Sequence, residues 1–404
     1  LGKYGEEGDR LIFKILNSGD KVKKADLQAL EEGNLARFSN SLTEKALRYD
    51  LTVPFARYVA QYQNDIVFPF KRYQIQPVWR ADRPQKGRFQ EFYQCDADVV
   101  GSKSLWQEIE FIQLYDAVFS DLNLDGVTIK INNRKILAGI AELIGAQDKL
   151  IDFTVALDKL DKIGAEKVKE EMLNKGIAAE GISKLEPLFN LTGDFSEQLQ
   201  SLKSILSTST EGIKGVEELE FIALSVAALG LKTARLQMDV TLARGLNYYT
   251  GAIFEVTAPD SVQMGSIGGG GRYDDLTGIF GLKDVSGVGI SFGLDRIYLV
   301  LEELNLFPTD QTQSTKVLFI NFGTSESLYS LKAITALRSK SVATELYPDA
   351  AKLKKQMMYC NKREIPFVVM VGESEMEQNK YLLKDMNSGE QQLLSLEELM
   401  QVVS

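Results

Sequence analysis

The sequence contains no histidine among its 404 residues. That absence excludes a histidine general base, a histidine-assisted serine or cysteine nucleophile and a histidine-ligated zinc ion. Cysteine is scarce as well, since Cys95 and Cys360 are the only two. Two cysteines are too few for a disulfide framework or a four-cysteine zinc site, which fits the reducing cytoplasm. Any catalysis must therefore use carboxylates, guanidinium groups, hydroxyls and the backbone.

Long apolar runs are also missing. No stretch approaches the roughly eighteen apolar residues that cross a membrane, so we expect no membrane partner. The start, Leu1-Gly2-Lys3, has neither a signal-peptide pattern nor an initiator methionine, and we expect the natural chain to begin earlier. The net charge of -10 argues against nonspecific coating of nucleic acid but leaves room for a local basic surface.

Periodicity divides the chain into segments of different character. Residues 1–149 mix apolar alternation with helical periodicity, and residues 150–235 are rich in lysine and glutamate with helical periodicity, which indicates an inserted helical domain. Strand patterns return in residues 236–306, and residues 307–314 form a polar linker. Strands alternate with helices over residues 315–404, which predicts a separate small α/β domain.

A strongly polar face marks the first predicted hairpin, whose strands cover residues 71–80 and 88–100. Alternate side chains of a strand share a face, and one face of the second strand holds a single aromatic ring among polar groups. Its members are Arg88, Gln90, Phe92, Gln94, Asp96 and Asp98. Arginines can bind phosphate oxygens and an aromatic ring can stack on a purine. A solvated sheet face with incidental ion pairs explains the pattern equally well.

Several motifs carry a resemblance to a known family. Phe70–Gly101 and Gly287–Arg296 resemble motifs 2 and 3 of class II aminoacyl-tRNA synthetases, and neither has the Gly-Lys-Ser/Thr of a P-loop. Leu47–Thr52 resembles the stretch of that class that binds the α-amino group of the amino acid. Ala243–Gly251 resembles the histidine motif of histidyl-tRNA synthetases, with Asn247 where that family usually has aspartate. The ordered set resembles that family across nearly the whole chain.

The resemblance implies an α/β (α+β) fold with a class II antiparallel-sheet catalytic domain, and a role for each matching residue. The resemblance implies that the arginines of the ATP site bind the phosphates and that the ring of Phe92 stacks on adenine. The implied ATP-binding residues are Arg80, Asp82, Arg88, Phe92 and Arg296. For histidine, it implies Asp50, Thr52 and Gln94 at the α-ammonium, Asp98 and Tyr248 at the imidazole, and Tyr249 as a wall. Arg244 and Arg80 are the implied catalytic pair. No protein metal site is implied, and Mg²⁺ is expected to arrive with ATP.

The resemblance also implies macromolecular partners. The segment 315–404 resembles the anticodon-binding domain of class IIa enzymes, and the motif 2 loop is expected to meet the acceptor end of tRNA(His). The implied tRNA-binding residues are Arg83, Gln85, Lys86, Lys352, Lys354 and Lys355. A solvated charged face would explain the lysines as well. Motif 1, which pairs the subunits in this class, is missing from the sequence, so the expected homodimer rests on the family alone.

The implied reaction is the ATP-dependent activation of L-histidine and its transfer to the 3' end of tRNA(His). The carboxylate of histidine is already ionised, so positioning and charge neutralisation should carry the rate without a general base. Two alternatives remain: a non-catalytic relative, such as a regulatory subunit or a sensor of uncharged tRNA, and a class IIa synthetase for threonine or proline. The Ala243–Gly251 motif and the C-terminal segment argue against them.

Overall fold

The computed structural model describes residues 10–189, 191–243, 248–308 and 315–403. The chain divides into two compact units, Leu1–Leu306 and Phe307–Ser404. Within the described ranges, no helix combines the length and the apolar character that crossing a bilayer requires.

A large sheet organises the first unit. The described strands of the first unit are β1 (Lys14–Ile15), β2 (Lys45–Ala46), β3 (Phe70–Trp79), β4 (Glu91–Val100), β5 (Thr128–Asn133), β6 (Arg235–Met238), β7 (Ala252–Thr257), β8 (Gly268–Tyr273) and β9 (Gly287–Gly293). Strands β1 and β2 pair with each other, and the remaining seven form one sheet in the order β3-β4-β9-β8-β7-β5-β6. Neighbours in this sheet are antiparallel except β5 and β6. The predicted antiparallel-sheet fold class is confirmed.

Strands β3 and β4 form the predicted hairpin. Their register places Arg72 directly opposite Asp98. The prediction that Arg88 continues the polar face of the second strand is wrong, because that strand begins only at residue 91. Gln90 does still pair across the hairpin, since its carbonyl accepts from the backbone N–H of Arg80 at 2.8 Å. The backbone of Arg88 instead bonds to Gln85 within the turn, at 2.9 and 3.2 Å, so these groups cannot also pair with β3.

Glycines bring β8 and β9 close together and keep the space in front of them open. A Cβ atom at Gly270 would collide with the backbone carbonyl of Gly289 on β9. A Cβ atom at Gly289 would in turn collide with the carboxylate of Asp98 on β4. The glycine run was not predicted as a strand, because it has no side-chain alternation that would indicate one.

Helices surround the sheet of the first unit. They are α1 (Leu27–Glu31), α2 (Leu35–Ser41), α3 (Thr52–Gln61), α4 (Trp106–Asp121), α5 (Arg134–Leu143), α6 (Leu150–Leu157), α7 (Leu160–Ile163), α8 (Ala165–Asn174), α9 (Ala179–Ser183), α10 (Glu186–Phe189), α11 (Phe195–Ile205), α12 (Thr210–Leu229) and α13 (Leu294–Glu303). Phe153 and Ile222 of the helical segment belong to the same apolar core as Ile129 and Val288 of the sheet. The segment 150–235 is helical as predicted, and its boundaries as a separate domain stay a prediction.

A buried ion pair fixes β8 to α4. Arg272 donates from Nε and Nη2 to the two carboxylate oxygens of Glu108, at 2.5 and 2.6 Å. The side chain of Glu108 is fully buried and that of Arg272 is 5% exposed. Arg272 also donates to the hydroxyl of Ser286 and to two backbone carbonyls. The guanidinium is thereby satisfied on several sides, which a buried charge requires.

The second unit alternates strands and helices. Its described elements are β10 (Val317–Phe319), α14 (Thr324–Ser339), β11 (Thr344–Leu346), α15 (Leu353–Lys362), β12 (Phe367–Met370), α16 (Glu373–Glu377), β13 (Tyr381–Asp385), β14 (Gln391–Leu394) and α17 (Leu396–Val403). The sheet order is β11-β10-β12-β13-β14, with β10 parallel to both neighbours and the last two pairs antiparallel. The predicted alternation is confirmed, whereas α16 and β14 were not predicted.

Candidate active site

Two adjoining cavities lie in front of the sheet of the first unit. We call the first the outer cleft, with a volume of ≈ 270 Å³, and its polar lining is Arg80, Asp82, Arg88, Gln94, Ser266, Ser291, Asp295 and Arg296. We call the second the inner pocket, with a volume of ≈ 290 Å³, and its polar side chains include Asp50, Thr52, Gln94, Asp96, Asp98, Tyr248, Tyr249, Glu255 and Tyr273. The two share Arg80, Gln94 and Ser291 in their walls, so they are adjacent.

Three arginines give the outer cleft its positive charge. Arg80 follows the end of β3, Arg88 lies in the hairpin turn, and Arg296 lies in the first turn of α13. Arg296 is held in place because its guanidinium donates to the backbone carbonyls of Gly87, at 2.5 Å, and Ser266, at 2.6 Å. Burial and the nearby charges of Arg88 and Arg80 lower the pKa of Arg296 from its usual range. Such a concentration of guanidinium groups favours a polyanionic ligand.

Arg80 stands at the junction of the two cavities. Its Nε donates to the backbone carbonyl of Tyr49 at 3.1 Å. The guanidinium carbon lies 4.4 Å from the centre of the Tyr49 ring and 5.1 Å from that of Phe92. These contacts fix a cation between the two spaces, where it can reach a group held in either one.

Asp98 occupies the base of the inner pocket and is 2% exposed. Arg72 Nη2 lies 2.9 Å from its Oδ2, and the hydroxyl of Tyr273 donates to its Oδ1 at 2.7 Å. Burial raises the pKa of Asp98 to about 7, while Arg72 opposes the rise. The carboxylate is therefore rigidly oriented, and each of its oxygens keeps a lone pair for a further donor.

Two tyrosines form another wall of the inner pocket. The rings of Tyr248 and Tyr249 meet edge to face with their centres 4.9 Å apart, and Tyr248 packs in the same way on Tyr273 at 6.1 Å. Burial raises the pKa of Tyr248 well above its usual value, so its hydroxyl keeps its proton. That hydroxyl also shares a hydrogen bond with Thr52. The pocket thus presents phenol groups that can donate or accept.

The segment before α3 brings further polar groups to the inner pocket. Asp50 is 2% exposed, and its Oδ1 accepts from the backbone N–H of Val53 at 3.3 Å. Thr52 is the first residue of α3. A carboxylate at this position bonds a free N–H of the helix start, which explains why the acid precedes the helix here.

The structure brings most of the sequence-predicted ligand residues together. Asp50, Thr52, Gln94, Asp98, Tyr248 and Tyr249 line the inner pocket, and Arg80, Asp82, Arg88, Phe92 and Arg296 line the outer cleft. Arg244, predicted as catalytic, and Asn247, the departure from the family pattern, lie outside the described residues.

The residues predicted to bind tRNA lie elsewhere. Arg83, Gln85 and Lys86 are exposed on the β3–β4 turn and line neither cavity, and Lys86 pairs with Glu303 at 3.2 Å. Lys352, Lys354 and Lys355 are exposed at the start of α15 in the second unit. Their exposure leaves them accessible to a large partner.

The side chains of the site without a predicted role include Tyr49, Arg72, Asp96 and Tyr273. Arg72 and Tyr273 act through Asp98, on which they converge from β3 and β8. Strand pairing creates these contacts, and a single sequence does not show it. Asp96 does have a sequence signal, because it alternates with Gln94 and Asp98 along β4.

The described ranges contain no group of three or more Asp, Glu or Cys side chains arranged to hold a metal ion. Asp82 and Asp295 are the acids that line the outer cleft. Asp295 accepts from the backbone N–H of Tyr93 at 2.9 Å, and Asp82 faces Arg88 at 3.8 Å.

Comparison with known proteins identifies the family of the chain. A family model described as histidyl-tRNA synthetase matches residues 28–297, and one described as an anticodon binding domain matches residues 316–404. A histidine–tRNA ligase of Christiangramia forsetii is 69% identical over 97% of this chain and 86% of its own length. A histidine–tRNA ligase of Flavobacterium johnsoniae is 63% identical over 99% of this chain and 88% of its own length.

Solved structures agree with these relatives. The crystal structure of histidyl-tRNA synthetase from Nostoc sp. superposes with a TM-score of 0.74 at 33% identity, covering 89% of this chain and 83% of that one. The apo histidyl-tRNA synthetase of S. aureus shares the fold with a TM-score of 0.62 at 21% identity, covering 89% and 83%. With two family models in the expected order and relatives that match nearly its whole length, this chain belongs to the histidyl-tRNA synthetase family.

Proposed function

We propose that this protein activates L-histidine with ATP to form histidyl-adenylate and then transfers the histidyl group to the 3' end of tRNA(His). The observation that carries the proposal is the junction at Arg80 of an arginine-lined cleft with a pocket of carboxylates and tyrosines. The first space suits a triphosphate and the second suits a small cationic amino acid. A fixed guanidinium between them suits the point where the two substrates react.

The outer cleft is the proposed ATP site. Arg80, Arg88 and Arg296 are candidates for the phosphate oxygens, since guanidinium groups pair with them in a bidentate manner. The position of Arg296 in the first turn of α13 adds the positive end of the helix to its own charge. Phe92 is the proposed stacking surface for adenine, and Asp82 is proposed to lie beside the nucleotide.

The inner pocket is the proposed histidine site. Asp98 and Tyr248 are candidates for the two imidazole nitrogens, because a carboxylate and a phenol together satisfy either the neutral or the charged ring. Asp50, Thr52 and Gln94 are proposed for the α-ammonium, and Tyr249 closes the pocket. A side chain without ring nitrogens would leave empty the lone pairs that Asp98 keeps beside its contacts with Arg72 and Tyr273. Sites of this kind reject such analogues by roughly 10⁴-fold.

The activation step of the proposed chemistry requires no general base in this chain. The ionised carboxylate of histidine attacks the α-phosphorus of ATP and pyrophosphate leaves. A ribose hydroxyl of the tRNA later attacks the histidyl carbonyl and displaces AMP, and its proton passes to the phosphate of the departing AMP. Arg80 can neutralise charge at the α-phosphate while it stays fixed by Tyr49 and Phe92. Arg244 shares this role in the proposal on the basis of its motif alone.

Mg²⁺ belongs to the proposal as a companion of ATP. The cation commonly keeps several waters and binds through one or two carboxylates together with substrate phosphates. Asp82 in the outer cleft fits such a set, since it faces Arg88 only at 3.8 Å. When bound, the ion would neutralise part of the triphosphate charge.

We also propose which surfaces bind the tRNA and which surface pairs two subunits. Arg83, Gln85 and Lys86 of the hairpin turn, and Lys352, Lys354 and Lys355 of the second unit, are the proposed tRNA contacts. A homodimer is supported by an apolar groove of ≈ 450 Å³ on the other face of β3 and β4, bordered by Tyr73, which is 82% exposed. A cytoplasmic location is in keeping with Cys95 and Cys360, which are both free.

Exchange of pyrophosphate into ATP tests the proposed function. The protein is incubated with Mg²⁺ and each of the twenty amino acids in turn, and we expect exchange with histidine alone. Exchange with threonine or proline would assign a different amino acid. No exchange with any amino acid, from folded protein, would contradict catalysis and favour a regulatory or sensing role.

A further inference from the structure

Asp96 is a carboxylate of the inner pocket to which the motifs assign no role. It lies on β4 between Gln94 and Asp98, and its side chain turns to the same face as theirs. It is 3% exposed. A buried carboxylate costs folding free energy unless other groups satisfy it, so its presence in an open pocket calls for a ligand.

The two oxygens of Asp96 differ in their surroundings. Oδ1 accepts weakly from Gln94 Nε2 at 3.4 Å, and the carboxylate also receives hydrogen bonds from Ser291 and Thr52. Oδ2 is shielded from solvent and has no hydrogen-bond partner among the described residues. The Oε1 atom of Gln94 is also shielded from solvent and has no hydrogen-bond partner among the described residues. Two neighbouring buried acceptors thus lack donors in the cavity that they line.

The charges of the inner pocket point to a cation with several N–H groups. Asp50, Asp96, Asp98 and Glu255 line it, whereas Arg80 lines it at the junction with the outer cleft. Arg72 reaches the pocket base only through its pair with Asp98. Burial raises the pKa of Asp96, and the hydrogen bond from Ser291 and the charge of Arg72 only partly oppose this. The ionised carboxylate therefore has less compensation in the free protein than it would have beside an ammonium group.

We propose that Asp96 binds the α-ammonium group of histidine, with its Oδ2 and the Oε1 of Gln94 accepting two of the three ammonium hydrogens. This inference rests on the proposed function. Alternate residues of a strand are roughly 7 Å apart, so Asp96 and Asp98 meet different parts of one substrate. Asp98 is bound by Arg72 and Tyr273, while Asp96 has the proposed ammonium ligands Thr52 and Gln94 as neighbours. Asp96 thus lies in the part of the inner pocket that is proposed to bind the α-ammonium group.

Binding of two histidine analogues to Asp96→Asn tests the proposal. Histidinol keeps the ammonium and the imidazole, whereas 3-(imidazol-4-yl)propionate keeps the imidazole and lacks the ammonium. We expect the dissociation constant of histidinol, measured by calorimetry at pH 8, to rise about 10- to 100-fold, the size of a hydrogen bond between charged partners. That of the propionate should change less than about twofold, because no ammonium is present to lose its partner.

Asp116→Asn is the matched control. Asp116 is also 3% exposed, but it accepts from the backbone N–H groups of Lys232, Thr233 and Ala234, at 2.6, 3.0 and 2.9 Å, and lines neither cavity. Its replacement should lower the melting temperature and leave both dissociation constants unchanged. This separates loss of an ammonium ligand from a general loss of stability.

Three outcomes would overturn the proposal. Unchanged binding of histidinol by Asp96→Asn would remove Asp96 from the site. An equal loss for both analogues would assign it to the imidazole end, and tighter binding of histidinol by Asp96→Asn would show that the charge of Asp96 opposes the ligand. Pyrophosphate exchange by the unsubstituted protein is measured in parallel. Absence of exchange with histidine contradicts the proposed function, whereas the analogue comparison still decides the role of Asp96.

Discussion

Replacing Arg72 with methionine should shift the pH dependence of histidine binding. Arg72 is 9% exposed in its side chain, and its guanidinium lies 2.9 Å from Asp98 Oδ2 and 4.2 Å from the centre of the Phe55 ring. Methionine keeps much of the length and the apolar contact with Phe55 but removes the charge. Burial already raises the pKa of Asp98 to about 7 against the opposing effect of Arg72, so the pKa must rise further in Arg72→Met.

The size of the effect follows from the ionised fraction of Asp98. An opposite charge at this range lowers the pKa of a carboxyl group by roughly 1 to 3 units. With a pKa of about 7, about half of Asp98 is ionised at neutral pH. A pKa one unit higher leaves about a tenth ionised, and a pKa three units higher leaves about a thousandth. If the imidazole binds the ionised carboxylate, the KM for histidine at pH 7 should rise at least about fivefold in Arg72→Met and should return toward the original value near pH 10.

The assay is pyrophosphate exchange with varied histidine from pH 6 to pH 10. The other titratable groups facing Asp98, which include Asp96, Asp50, Tyr249 and Tyr273, are present in both proteins. The titration of the substrate is also common to both, so the ratio of KM values isolates the change at Asp98. Gln74→Met is the control, because Gln74 accepts from Arg72 Nη1 at 2.9 Å but carries no charge. A KM ratio for Arg72→Met that is constant with pH would refute the reasoning and leave Arg72 a purely structural role.

Three further predictions concern stability, tRNA and assembly. Glu108→Ala should lower the free energy of unfolding, measured in urea titrations, by about 3–5 kcal/mol, because it leaves the buried Arg272 without its counter-ion. The double variant Glu108→Leu with Arg272→Met should recover most of this loss, because it removes both buried charges. Lys354→Glu with Lys355→Glu should reduce tRNA charging at least about tenfold without changing histidine-dependent exchange, and equal charging at physiological salt would contradict the tRNA assignment. Tyr73→Glu should convert a dimer to a monomer in light scattering, and a protein that is already monomeric at micromolar concentration would contradict the dimer.

The predicted elements matched the structure where the pattern was local. The alternation around Phe92 and Gln94 predicted the second strand of the hairpin, and the strand–helix alternation predicted the arrangement of the second unit. The prediction failed at Arg88, because the alternating pattern continues past the end of the strand into the turn, where the backbone of Arg88 pairs with that of Gln85. It also missed β14, whose Gln391–Leu394 segment is largely exposed and therefore lacks an apolar face.

The ligand residues were predicted from motifs, and their supporting residues were not. Asp98 was assigned to the substrate, but nothing in the chain near it indicates that Tyr273 donates to its Oδ1. The two residues are far apart in sequence and meet across β9, where Gly287 and Gly289 have no side chains that would stand between them. Arg72 likewise reaches Asp98 only through the register of β3 with β4.

The sequence by itself determined the kind of chemistry available, because a chain without histidine must use carboxylates, arginines and phenols. It also determined the local elements, since periods of two and of 3.6 residues are properties of neighbouring positions. Only the tertiary structure decided that Arg80 stands between two cavities, that Arg72 and Tyr273 hold Asp98, and that one oxygen of Asp96 has no hydrogen-bond partner among the described residues. These features depend on strand order, register and burial, which distant parts of the chain set together.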